Sequence, residues 1–325
     1  MHLARRTLLA LAATACLVAA PLAQAQASYP SQSVKLIVPY AAGGLPDTVA
    51  RIVGQRLGDS LGQTFVVDNK TGAGGAVAAA ALAAAPADGY TFMVTDGPML
   101  AIPPFVSAKP PFNAQKDFVP VSLIGVAPLY LAVNSKLPVN NLTELIALAK
   151  SKPGALNYGS AGLGSIHHLT AEAMKAGLGI NLTHVPFRGS GQSVPAMIGG
   201  QVDMIFASPP ALMGFVKNGQ AKLIAINTAR RSSQTPDVPA LSETIPGFDF
   251  AFNVMVLAKP GTPQPVIDKI NAELARIVRT PEVVELLQKA GVDPIGAPVQ
   301  QTAAALRAEM QRIAGAAQHA NLKPE

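Results

Sequence analysis

Residues 36–47 read Leu-Ile-Val-Pro-Tyr-Ala-Ala-Gly-Gly-Leu-Pro-Asp and lead into Thr48-Val49-Ala50-Arg51-Ile52-Val53. An apolar run of strand type ends in a glycine loop, and an amphipathic helical pattern begins at an aspartate. Such a junction leaves backbone N–H groups free at a helix N-terminus, where an anion can sit. The same logic returns at 156–172, Leu-Asn-Tyr-Gly-Ser-Ala-Gly-Leu-Gly-Ser-Ile-His-His-Leu-Thr-Ala-Glu. Two strand–glycine loop–helix units in separate halves of the chain predict two lobes, each turning a helix end toward one anionic ligand. The chain reads as a binder before it reads as an enzyme.

Outward from these units, strand and helix signals alternate. Strands are predicted at 34–38, 64–68 and 90–95, with helices at 47–60 and 76–85 between them. A proline-rich loop over 98–111 precedes a long β-branched stretch, 119–133, read as the first crossing between lobes. After a short helix at 141–150, strands at 156–158, 182–185, 202–206 and 222–227 alternate with helices at 165–176, 190–198 and 210–217. The chain returns through 248–257 and ends in three helices, the first two opened by Pro265 and Pro281 and the last preceded by Pro298. Proline suits a first helical turn because its missing N–H has no intrahelical partner there. The alternation predicts α/β lobes with mostly parallel sheets. Lobe 1 would combine 28–127 with 250–325, and lobe 2 would span 128–249.

Residues 1–27 have the form of a secretory signal peptide. Arg5 and Arg6 precede an apolar stretch, and small residues allow cleavage after Ala25 or Ala27. Arg5-Arg6 also permits a twin-arginine export reading. Cys16 is the only cysteine, so the processed chain has neither a disulfide nor a thiolate nucleophile. Export without disulfides fits a bacterial periplasm. Losing Arg5 and Arg6 lowers the net charge from +6 to +4. With no tryptophan and no basic cluster longer than Arg230-Arg231, nucleic-acid binding lacks its charge and its stacking groups.

Enzyme motifs are missing. Tyr158-Gly159-Ser160-Ala161-Gly162 lacks the first glycine of a nucleophile elbow. Gly72-Ala73-Gly74-Gly75-Ala76-Val77 starts like a dinucleotide loop but has Val77 at the third glycine position, so it reads as a tight loop packing a helix on a sheet. His167 and His168 are adjacent and point about 100° apart on a helix, which defeats the usual metal-ligand pairing. His168 is left as either a pocket contact or a helix-packing group. Asp47 stands where a helix N-cap belongs, a structural role compatible with ligand contact. Arg188, at a predicted strand end, could grip a carboxylate in two places. No metal or cofactor is expected.

The ordered set of segments resembles the extracytoplasmic solute receptors of the tripartite tricarboxylate transporter system, the Bordetella uptake gene (Bug/TctC) family. The segments are Leu36–Asp47, Val66–Gly75, Asp88-Gly89-Tyr90, Asp117–Val121, Asn157–Ser165 with His168-Leu169, Val185–Gly189, Gly199–Asp203 and Gly261-Thr262-Pro263. The resemblance implies a two-lobed α/β fold of the type II periplasmic binding protein kind, with a Venus-flytrap cleft holding a small carboxylate. Candidate ligand contacts are Tyr40, Gly43, Gly44, Leu45 and Asp47 in the first loop. Thr95 and Asp96 stand at the third strand. Ser160, Gly162, Gly164, Ser165 and His168 belong to the second unit, with Arg188 and Ser208 beyond it. The expected partners are inner-membrane transporter subunits, and the expected state is a monomer. Departures from the family pattern are Ala42 for a proline, Leu45-Pro46, Phe187-Arg188 for Tyr-Lys, and Ala207-Ser208 for a polar pair. With no acid at 207, the ligand is expected to be a plain, di-, tri- or aromatic carboxylate rather than an amino acid. Two other functions remain open: a ligand-sensing subunit docking on a membrane signalling protein, and a periplasmic α/β hydrolase.

Overall fold

The computed structural model describes residues 29–187 and 190–324; the predicted signal peptide and Arg188 lie outside them. Val34–Val38 (β1) buries four of its five side chains, as a strand covered on both faces must. It lies between Phe65–Asn69 (β2) and Thr91–Asp96 (β3), parallel to both. The helix Leu45–Leu61 (α1) lays Val49, Ala50, Val53 and Leu57 on this sheet at helical spacing. Its N-cap is Gly44, and Pro46 falls in the first turn. Asp47 is therefore inside the helix rather than its cap, because proline is pre-set for the start and draws the helix toward the glycines. Ala76–Ala84 (α2) follows β2. The proline-rich stretch after β3 is not an open loop: Gly97–Ala101 (α3) and Pro103–Val106 (α4) are short helices.

Val119–Ala127 (β4) ends the first sheet segment, and Tyr130–Asn134 (β5) opens the second. There Leu142–Ser151 (α5) is capped by Asn141, whose side chain accepts from Glu144 N. Asn157–Ser160 (β6), Ile166–Leu178 (α6), Thr183–Pro186 (β7), Ser190–Ile198 (α7), Met204–Ala207 (β8), Pro209–Lys217 (α8) and Ala221–Ile226 (β9) follow. The chain returns as Phe252–Ala258 (β10), then Gln264–Ile277 (α9), Pro281–Lys289 (α10), Asp293–Ala297 (β11) and Val299–His319 (α11). The sequence reading passes over β11. It is an edge strand carrying Pro294 and Gly296, residues that weaken a strand signal and are tolerated only at an edge.

The strand orders are β11-β4-β10-β3-β1-β2 in one sheet and β7-β6-β8-β5-β9 in the other. Each core follows one scheme: three parallel strands, then one strand antiparallel to them that the chain lays down as it crosses between the halves, then a fourth neighbour. These crossing strands are β10, antiparallel to β3 and β4, and β5, antiparallel to β8 and β9. The sheets are thus mixed rather than mostly parallel, because the crossings themselves supply central strands. Asn227, fully buried after β9, ties both crossings: its Oδ1 accepts from Leu129 N at 2.8 Å and its Nδ2 donates to Phe250 O at 2.7 Å. Helix α11 packs on β4, β10 and α3 of the first half and also on α6 of the second. Among the described residues no helix is long and apolar enough to cross a membrane.

Candidate functional site

The carboxyl ends of the parallel strands are where open α/β sheets bind ligands. There, residues of both halves line a cleft of about 890 Å³. The first half contributes Tyr40 after β1, Gly72–Ala76 after β2, and Asp96 after β3. The second contributes Ala161 and Leu163–His167 after β6. Two helix N-termini therefore border one space, α2 from the first sheet and α6 from the second. No side chain caps α2. At α6 Ser165 is the cap, its Oγ accepting from His168 N at 3.3 Å.

The approach to α2 requires unusual backbone. Gly72, Ala73, Gly74 and Gly75 have φ of +125°, +44°, +60° and +94°. A Cβ on Gly75 would lie 2.5 Å from Met99 Cε. Glycine is the residue that reaches such angles without a steric penalty, so Ala73 carries local strain beside the cleft. Across the cleft, Gly164 has φ of +74°, and a Cβ there would meet Val106 Cγ1 at 2.6 Å. At that point the two halves touch.

The structure places the predicted residues unevenly. Tyr40, Asp96, Gly164 and Ser165 line the cleft. Gly43, Gly44, Leu45 and Asp47 do not. Asp47 is buried and accepts from Gly43 N at 2.8 Å, Asn69 Nδ2 at 2.9 Å and Arg51 Nε at 3.0 Å. Burial alone would raise its carboxyl, but the bonds from Arg51, Gly43 and Asn69 outweigh that and hold it below the usual range. It is a latch behind the first loop. Thr95 is fully buried within β3, and Ser208 is the N-cap of α8 outside the cleft lining. Ser160 and His168 are buried behind the second loop and shape it. His168 Nδ1 accepts from Gly164 N at 3.2 Å, and Gly162 N donates to Ser160 Oγ at 3.1 Å. The candidate Arg188 lies outside the described residues. The Gly72–Ala76 loop, Lys109, Leu163 and Phe252 line the cleft without having been singled out as ligand contacts. The signal for the first was present: a glycine run directly after a parallel strand.

Behind the two walls lie opposite titratable groups. Tyr40 donates to Asp96 Oδ1 at 2.7 Å, and Asp96 Oδ1 also caps Met99 N at 3.0 Å. Burial pushes Asp96 up to about 6 and Glu309, on α11, up to about 8. Asn253 donates to Glu309 Oε2 through its side chain at 2.6 Å and its backbone at 3.2 Å. Gly97 lies against the same carboxylate: a Cβ there would be 1.8 Å from Oε2. In the second half His168 and His184 stack at 4.2 Å between ring centroids, and Tyr158 stacks on His184 at 4.9 Å. Burial, and then the neighbouring His168, push His184 down to about 4. Ser160 Oγ lies 2.7 Å from His184 Nε2. This serine–histidine pair is turned inward: Ser160 has no exposed surface and donates to Gly162 O at 3.1 Å. Among the described residues no cluster of three histidines, cysteines or acids could hold a metal ion.

Two sheets of like order, joined by paired crossings and opening on one cleft, define a two-lobed solute-binding protein. The family model of the tripartite tricarboxylate transporter family receptors matches residues 49–322, and the chain belongs to that family. It is 34% identical over 298 residues to the protein BugT of Bordetella pertussis, covering 91% of each chain. A solved R. palustris protein with adipate shares 32% identity at a TM-score of 0.80, covering 91% of this chain and 100% of that one. MatC from Rhodopseudomonas palustris with bound malate shares 30% identity at a TM-score of 0.73, covering 89% and 100%.

Proposed function

We propose that this chain is an exported periplasmic receptor that closes on a small organic carboxylate and presents it to an inner-membrane transporter of the tripartite tricarboxylate type. The observation that carries the reading is the pair of helix N-termini, α2 and α6, set at one cleft by two different sheets. Oriented N–H groups favour an anion at the helix ends, and Lys109 adds a positive charge to the same lining. Adipate and malate in two related structures support the carboxylate class. Lobes divided at 127/128 and 249/250 are part of this reading, supported by the end of β4 at Ala127 and by Phe250 at the return crossing. Closing about the crossings tied by Asn227 would then bury the ligand and change the surface offered to the permease. A monomer suffices for this.

The test is a thermal-shift and calorimetric comparison of carboxylic acids with their amides, on mature protein unfolded and refolded to strip bound ligand. An acid at a hundredfold its Kd should stabilise the fold by about 2.7 kcal/mol, and the matching amide should give no shift. Equal binding of acid and amide would overturn the anion reading.

A further inference from the structure

The side chains around the cleft divide sharply by chemistry. Pro98, Pro103 and Val106 form one wall, Leu163 and Ile166 the other, and Phe252 also lines the space. Leu163 is 67% exposed and Val106 37%, and both belong to this lining. Large apolar side chains left open on two facing walls mark a surface awaiting an apolar partner.

Three of the lining hydroxyls spend their hydrogens within the protein. Tyr40 donates its hydroxyl hydrogen to Asp96, Ser165 donates to Gly162 O at 2.7 Å, and Ser107 donates to Lys109 O at 3.1 Å. Asp96 Oδ1 is taken by Tyr40 and Met99 N, and the residue is only 8% exposed. A hydroxyl or ammonium group on the part of a ligand set against these apolar walls would be stripped of water.

We infer that the ligand is a carboxylate with an unsubstituted apolar body, an aromatic ring or a hydrocarbon chain, lodged between the Val106 and Leu163 walls. The inference rests on the carboxylate-receptor reading and narrows it. Each buried methylene then raises affinity about fourfold, and an unpaired hydroxyl lowers it about tenfold.

Matched acids test this in calorimetry on the mature, ligand-stripped protein. Phenylacetate should bind about tenfold more tightly than mandelate, and hexanoate, with two more methylenes, about fifteenfold more tightly than butyrate. Leu163→Ser, at a position exposed enough to change without entering the core, should weaken phenylacetate several-fold. Acids that bind with no such preference would overturn the inference and leave the receptor reading standing. Preference for mandelate or phenylalanine would also overturn it, and would place Asp96 in contact with the ligand's polar group. Binding of no acid at all would overturn both.

Discussion

Asp96 and Ser208 hold equivalent places, each capping the helix that follows the third parallel strand of its sheet. Asp96 bonds Met99 N and Tyr40, lines the cleft, and has Glu309 among its charged neighbours. Ser208 makes no side-chain cap bond and lies outside the lining. The first lobe backs its wall with buried carboxyls, the second with the buried imidazole of His168 against Gly164 and the half-buried one of His184 against Ser160. A shared strand order thus fixes where the loops emerge and leaves their chemistry free. One wall gains stability from protons and the other loses it.

The largest expected effect tests the packing of the acidic wall. Gly97→Ala drives a Cβ into the Glu309 carboxylate, which Asn253 holds in a closed site. It should cost about 3 kcal/mol, lowering Tm by about 5 °C or more, while Ser208→Ala stays within about 0.5 kcal/mol. If the double variant G97A/E309A recovers none of the loss, the clash is not its cause.

Next is pH. Glu309 has a folded value of about 8, above its ordinary 4.5. Its contribution is complete below about pH 4.5 and is lost as pH rises through about 8. Glu309→Gln keeps an acceptor for Asn253 and removes the titration. Its Tm between pH 6 and 9 should therefore fall less than that of the wild type. Parallel curves would mean that the acid is not titrating in that window.

The smallest effect has the opposite sign. His184 is lowered from 6.5 to about 4, so its contribution is present above pH 6.5 and is lost as pH falls through about 4. His184→Gln, which can still bond Ser160, should flatten the acid limb of stability between pH 7 and 4.5. An unchanged acid limb would remove the imidazole stack from the comparison.

Much of this was legible in the chain itself. The apolar run of β1, the Val49–Leu57 spacing of α1, and the Asn141 cap each declare a local structure through short-range rules. The second loop was also legible, because Ser165 is both its end and its helix cap. The placement of the first loop was not legible. Gly43-Gly44 has the same signature as Gly72–Gly75, yet a buried Asp47 draws the former shut while the latter lines the cleft. Asn253 shows its use only through Glu309, 56 residues away.

The sequence by itself determined the elements, the two-lobed α/β class and the family, because periodicity, caps and glycine loops are written over a few neighbouring residues. The tertiary structure alone decided which glycine loop lines the cleft, which strands run antiparallel at the centre of each sheet, and which titratable groups share a wall. Those outcomes depend on contacts such as Gly164 with Val106, Asn227 with Phe250 and Gly97 with Glu309. Partners far apart along the chain leave no local pattern; they meet only when the core closes.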